Sequence, residues 1–378
     1  MFVKRGGKMD RQLIWAVKSQ EISSTRKKLR ELSKREDLFD ISTVDTRSDI
    51  YKKTVLSFDK ARRTGTKIIT YIDDLYPEKL RNISQPPPVL YLRGNEKLLK
   101  DVIFAGMVGA RECDDYGIRM AETIAAEIGQ TGAGIVSGGA RGVDAASHRG
   151  ALRAKAPTIA VLGGGLDRPY PKENIPLFKK IVEGGGAVIS EYPFGTESIP
   201  RNFPRRNRII AGLSTTLVVV RAAYNSGSLI TANQALNQGL TIFAVPGNID
   251  NKLSAGANAL IRDGAIPLLS PMEVIDELIE REPDFFVREK EISQGIVNEE
   301  IEEPEKQEKS APDIGGLSEY EAEIVNIIIS GAQKQTEIEE KVSFEPSRLT
   351  ALLGMMEIKG IIKKGPDRKY IITEGGRC

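Results

Sequence analysis

From residue 101 onward the chain alternates between short, uninterrupted apolar runs and amphipathic stretches. The runs are DVIFAGMVG (101–109), GIVSGG (134–139), TIAVLGGG (158–165), AVISEY (187–192), TTLVVV (215–220) and TIFAVPG (241–247). They are continuous rather than alternating, which predicts strands buried on both faces, as in a parallel sheet covered by helices. Between them the spacing is helical. Over 114–130, Ile118, Ala121, Ile124, Ala125 and Ile128 fall on one face. Further helical stretches follow near 142–154, 174–183, 204–213 and 228–238. Strands alternating with helices predict a doubly wound α/β domain.

The flanks read differently. Residues 1–65 are helical and basic, with 11 Lys/Arg against 6 Asp/Glu over 1–40. KIITYI (67–72) and PVLYLRG (88–94) predict two strands around a turn-rich stretch. The α/β core is thus expected over 66–280. Residues 281–314 form an acidic linker, with six Glu and two Lys in 298–310. Residues 315–378 show two capping boxes (Ser318 with Glu321, Thr336 with Glu339), a helical stretch at 346–358 and two short strands around Gly365-Pro366-Asp367. That order predicts a winged helix-turn-helix.

Composition narrows the chemistry. The single His is His148 and the two Cys are Cys113 and Cys378, so no zinc cluster can be assembled. No metal, cofactor or catalytic residue is expected. No apolar run approaches the 18 residues of a membrane span, and the expected setting is a reduced cytoplasm. The 54 Lys+Arg nearly balance the 52 Asp+Glu, but net charge does not describe how charge is placed. Ligands of an open parallel sheet bind beyond the carboxyl ends of its strands, and there one theme recurs. Gly109-Ala110-Arg111, Ser137-Gly138-Gly139-Ala140-Arg141-Gly142, Gly163-Gly164-Gly165 followed by Lys172 and Asn174, Arg205-Arg206-Asn207-Arg208, and Asn225-Ser226-Gly227-Ser228 each combine Gly, a nearby cation or a following helix. Several anion sites of this kind favour a polynucleotide backbone over one small molecule. A dinucleotide is disfavoured, because the second strand ends in Ser137-Gly138 without an acidic residue for the ribose. Tyr170, Tyr192 and Phe194 flank these loops, with base stacking or core packing as their uses.

The motifs VGARECDDYG, SGGARGVDAASHRGAL, LGGGLDRPYPKEN, SEYPFG, FPRRNRIIAGLS, NSGSLITANQAL and FAVPGNIDNKLSAGANALIRDGA, in that order, closely resemble the DNA-processing protein A (DprA, or Smf) family over roughly 70–280. The resemblance implies an extended Rossmann-like domain that binds single-stranded DNA, loads the recombinase RecA onto it and protects it during natural transformation, acting as a homodimer. By motif match it implies that Arg111 and Lys172 are the main basic contacts. Ser137, Gly138 and Gly139 would cradle a phosphate, with Asn174 nearby and Asn207 and Arg208 lining the same channel. Two alternatives remain open at this point. One is a phosphoribohydrolase-like nucleotide-processing enzyme, although NSGSLITANQAL lacks that group's Glu. The other is a ligand-sensing winged-helix regulator.

Overall fold

The strand Phe104–Val108 (β3) lies at the middle of a nine-stranded sheet. The computed structural model describes residues 10–22, 24–293, 319–330, 334–339, 341–342, 349, 353, 356–357, 361–365 and 369–372. Gly134–Ser137 (β4), Thr158–Val161 (β5) and Ala187–Ser190 (β6) follow outward on one side of β3. Thr216–Val219 (β7), Thr241–Ala244 (β8) and Ile266–Pro267 (β9) follow on the other. These seven strands are parallel. Lys67–Thr70 (β1) and Val89–Gly94 (β2) pair antiparallel, and β2 joins β6 antiparallel. The apolar runs therefore become strands, as their continuity requires. The sequence reading missed β9, which offers only two residues at an exposed edge.

Both faces of the sheet are covered. Phe104 and Val108 point into one core with Phe178, Ile209 and Ala232, while Ala105 and Met107 point into the other with Ile124, Ala146 and Leu278. The helix Pro283–Ser293 lies within the stretch expected as linker. Phe285 and Phe286 are buried, packing edge to face at 5.2 Å, so this body continues past residue 280. The chain divides into two compact units between Val297 and Asn298.

The N-terminal helices Arg11–Gln20, Arg26–Ser33 and Asp49–Arg63 begin at side-chain caps supplied by Asp10, Thr25 and Ser48. They are built onto the β1–β2 pair. Trp15 is fully buried, stacks on Tyr71 at 5.7 Å and donates Nε1–H to the Pro88 carbonyl. Ser57 bonds the Tyr91 hydroxyl and accepts from the Phe194 amide. Phe194 is thereby committed to the core.

In the second unit, helices Glu319–Ile329 and Gln335–Glu339 and the antiparallel pair Ile362–Lys364 with Tyr370–Ile372 enclose a small core that includes Ile324, Leu349, Met356 and Tyr370. Ser318, most of the expected helix 346–358 with Arg348, and Lys359 and Arg368 lie outside the described residues. The winged-helix reading continues to rest on the sequence.

Candidate nucleic-acid interface

The strand order reverses at β3, whose return partner β7 lies on the side away from β4. A crevice opens at such a reversal, and here a cleft of about 820 Å³ lies beyond the carboxyl ends of β3 and β7. Three helices start around it: Asp115–Gly129, Val143–Arg153 and Gly227–Leu236. Their N-terminal N–H groups and dipoles favour an anion.

The loops are locked to one another. Gly142 has φ +71°, and a Cβ there would lie 2.2 Å from the Ala110 carbonyl oxygen, so glycine alone lets the loops after β3 and β4 touch. The Val143 amide donates to the same carbonyl. Arg221, buried at the end of β7, pairs with Asp114 at 2.9 Å and donates to Ser254. Asn251 donates to the same carboxylate, so Asp114 ties the loops after β3, β7 and β8 together.

Of the residues picked out in the sequence, Arg111 fits a contact role best. It is exposed, with its guanidinium 4.9 Å from the centre of the Phe203 ring, and it has no carboxylate partner among the described residues. Lys172 is likewise exposed and unpaired by carboxylate, whereas Arg141 nearby meets Glu173 at 3.9 Å. Pro171, immediately before Lys172, lines a small recess shared with Arg111, Gly138 and Tyr170. Gly138 and Gly139 form the loop itself. Gly139 has φ +65°, and a Cβ there would come within 2.7 Å of Phe178. A bulkier residue at Gly139, expected from the sequence to matter little, would in fact need this packing to change.

Four residues have roles other than those implied by resemblance. Ser137 is wholly buried and its hydroxyl donates to the Met107 carbonyl at 2.6 Å, so its side chain supports the loop from behind. Asn174 spends its amide on the Gly139 and Ala140 carbonyls, bracing the phosphate loop. Asn207 lines the cleft, but it is buried, accepts from Arg206 and donates to the Gly227 carbonyl. Arg208 does not line it. On the helix Asn202–Leu213, Phe203, Arg206, Asn207 and Ile210 face the cleft, while Arg208, Ala211 and Gly212 face a separate groove. Arg208 forms a two-pronged ion pair with Glu191, 2.7 Å at each prong, and donates to the Gln85 carbonyl. It is a structural clamp because its helical position turns it about 100° per residue away from the cleft face.

Phe203 was not singled out from the sequence. It lies between Arg111 and Tyr170, whose ring centre is 5.9 Å away. Tyr170 is 42% exposed, so the pair presents an aromatic surface beside the cations. Arg206 sits behind, 4% exposed, donating to the Gly138 and Val161 carbonyls. Burial draws its pKa down to about 10, against the attraction of Asp144. Asp144 is itself buried, which raises its pKa, and it accepts from the Ala140 amide.

The cleft offers little to catalysis. Burial and the neighbouring Asp114 push the Cys113 thiol up to about 11, far from a thiolate. His148 is fully buried with Nδ1 2.8 Å from the Thr158 hydroxyl, and burial lowers its pKa to about 3. The unfolded imidazole, near 6.5, then binds a proton that the folded one refuses. Stability is therefore complete above about pH 6.5 and falls by about 1.4 kcal/mol per unit as pH drops below it. His148→Asn removes this one-proton slope, measurable as urea-denaturation free energies across pH 6.5 to 5.

The cleft's residues fall within the span matched by the family model described as DNA recombination-mediator protein A, residues 67–279. Protein Smf of Escherichia coli is 40% identical over 205 residues, 54% of this chain and 54% of its own length. The match thus spans about half of that relative. The X-ray structure of DNA processing protein A from Streptococcus pneumoniae superposes with a TM-score of 0.58 at 33% identity, covering 71% of this chain and 98% of that one. DNA processing protein A from Helicobacter pylori, solved to describe its unique single-stranded DNA binding mode, gives 0.51 at 29% identity, covering 57% and 96%.

Proposed function

The chain belongs to the DNA recombination-mediator protein A family, and from that premise we propose that it binds single-stranded DNA at the strand-end cleft without hydrolysing it. The observation that carries this reading is the pairing of two exposed cations lacking carboxylate partners, Arg111 and Lys172, with the aromatic surface of Phe203 and Tyr170 at three helix N-termini. Phosphates would meet Arg111, Lys172 and the Gly138-Gly139 loop, while Phe203 receives a base. Contacts of this kind are sequence-tolerant and salt-dependent.

The family's role in recombination mediation supports the next step of the proposal. The chain hands its strand to RecA and shields it until then, during natural transformation in the cytoplasm. It works as a homodimer. Among the described residues no helix is long and apolar enough to cross a membrane.

The test is a salt-titrated binding assay on single-stranded and duplex DNA, with the wild-type chain and Phe203→Ala. Single strands are expected to bind more tightly than duplex of any sequence. Phe203→Ala is expected to weaken binding by about 1–3 kcal/mol, the worth of one stacked base, with an unchanged salt slope, because every phosphate keeps its cation. A preference for one duplex sequence, or robust turnover of nucleotides, would overturn the proposal.

A further inference from the structure

The N-terminal helices carry a charge pattern that the strand-end cleft does not use. Residues 26–35, RKKLRELSKR, hold six cations and one carboxylate, Glu31. Leu29 and Leu32 bury the inner side of the helix Arg26–Ser33, which leaves Arg26, Lys27, Lys28, Arg30 and Lys34 exposed. Among the described residues, Arg35 alone of the six has a carboxylate at ion-pair distance, Asp37 at 2.5 Å.

Arg26, Arg30 and Lys34 recur every fourth residue, so they stand in one row. The row forms a wall of a groove of about 570 Å³, and Arg11 and Arg81 contribute from the other elements around it. The carboxylates of the groove are Asp74 and Glu78, and Glu78 is already paired with Arg81 at 3.3 Å. Five cations thus line the groove with two acids. A solvated helix face ordinarily intersperses both signs. Like charges gathered around one concavity repel each other and focus the field outward, and a bound polyanion relieves that cost.

We infer that this groove is a second contact surface for the phosphate backbone of nucleic acid, made of residues separate from the strand-end cleft. The inference rests on reading the chain as a single-stranded-DNA protein, which supplies the polyanion. Its contact is with backbone rather than bases. Tyr71 in the groove is buried and stacked on Trp15, and Arg11 already covers Phe39 at 4.1 Å, so no aromatic face is left for stacking.

The experiment measures anisotropy of labelled oligo-dT with the full chain over a salt series. It compares wild type, the triple variant Arg26→Gln/Arg30→Gln/Lys34→Gln, and the cleft variant Arg111→Ala/Lys172→Ala. All three groove positions are exposed, and a thermal melt checks that the fold is kept. The triple variant is expected to bind about tenfold more weakly at low salt, with a salt slope shallower by about two, at about 0.7 for each phosphate no longer neutralised. If the triple variant matches wild type while the cleft variant loses binding, the groove is a solvated face and the cleft reading stands. If the triple variant weakens while the cleft variant does not, the cleft reading fails and the groove stands alone. Poly-glutamate that displaces labelled DNA from the cleft variant as well as unlabelled oligo-dT does would overturn nucleic acid as the occupant.

Discussion

Arg111→Ala combined with Lys172→Ala is expected to lower the affinity for single-stranded DNA by about a hundredfold or more, equally for all sequences. Each replaced side chain is an exposed cation without a carboxylate partner, so its charge is available to a phosphate. A hydrogen bond to a charged group contributes about 1.5–3 kcal/mol, and two such losses span that range. The salt slope should become shallower by about 1.4, at about 0.7 per phosphate. The fold should be unaffected, because neither side chain holds a neighbouring element in place. Arg208→Ala supplies the contrast. Its guanidinium is held by Glu191 and the Gln85 carbonyl, with 12% of the side chain exposed, so DNA affinity is expected to persist while the melting temperature falls. Binding isotherms across a salt series, paired with thermal melts, separate the two outcomes. Loss of DNA affinity in Arg208→Ala with an unchanged melt would put that residue back in the channel.

Arg208 also shows where reading the chain alone falls short. The sequence places Arg205, Arg206 and Arg208 in one basic cluster, but a helix sends neighbours in different directions. Projecting 202–213 on a 100° wheel would have put Phe203, Arg206, Asn207 and Ile210 together and Arg208 elsewhere. The partner that claims Arg208, Glu191, lies 17 residues earlier beyond the end of β6, and no local pattern links the two. Phe203 was passed over for a related reason. An aromatic residue before a basic run reads as core until tertiary structure sets it between Arg111 and Tyr170. The sheet was legible because strands buried on both faces must be continuously apolar. By contrast β9, exposed at the edge, had no such run, and the helix Pro283–Ser293 was masked by its charges, with Phe285-Phe286 as its apolar anchor. The glycine loops were legible as sites, but the roles within them were not. Ser137 and Asn174 look like ligand contacts in sequence, and only their buried carbonyl partners show that they hold the loop in shape.

That support has a centre, and removing it should have the largest effect on stability. Arg206→Met is expected to cost about 3–5 kcal/mol at neutral pH, the range for breaking a buried arrangement of opposite charges. Two things are lost together. The Gly138 and Val161 carbonyls lose their donor, and Asp144 loses the cation that offsets its burial. The second loss depends on pH. Burial already raises the Asp144 pKa, and without Arg206 it rises further. An acid whose folded pKa is raised destabilises the fold when ionised, so the deficit is greatest above that pKa and narrows as pH falls through it. His148 acts in the same direction, because Arg206 helps to hold its pKa down. Urea melts of wild type and variant at pH 7 and in mild acid should therefore converge toward acid. Adding Asp144→Asn removes the uncompensated charge while keeping an acceptor for the Ala140 amide, so the double variant should be more stable than Arg206→Met alone, by a coupling of about 1–3 kcal/mol. A double variant no better than the single one, with a deficit constant across pH, would reduce Arg206 to a clamp on two carbonyls. The phosphate loop would then be shaped by hydrogen bonds without help from the buried charge pair.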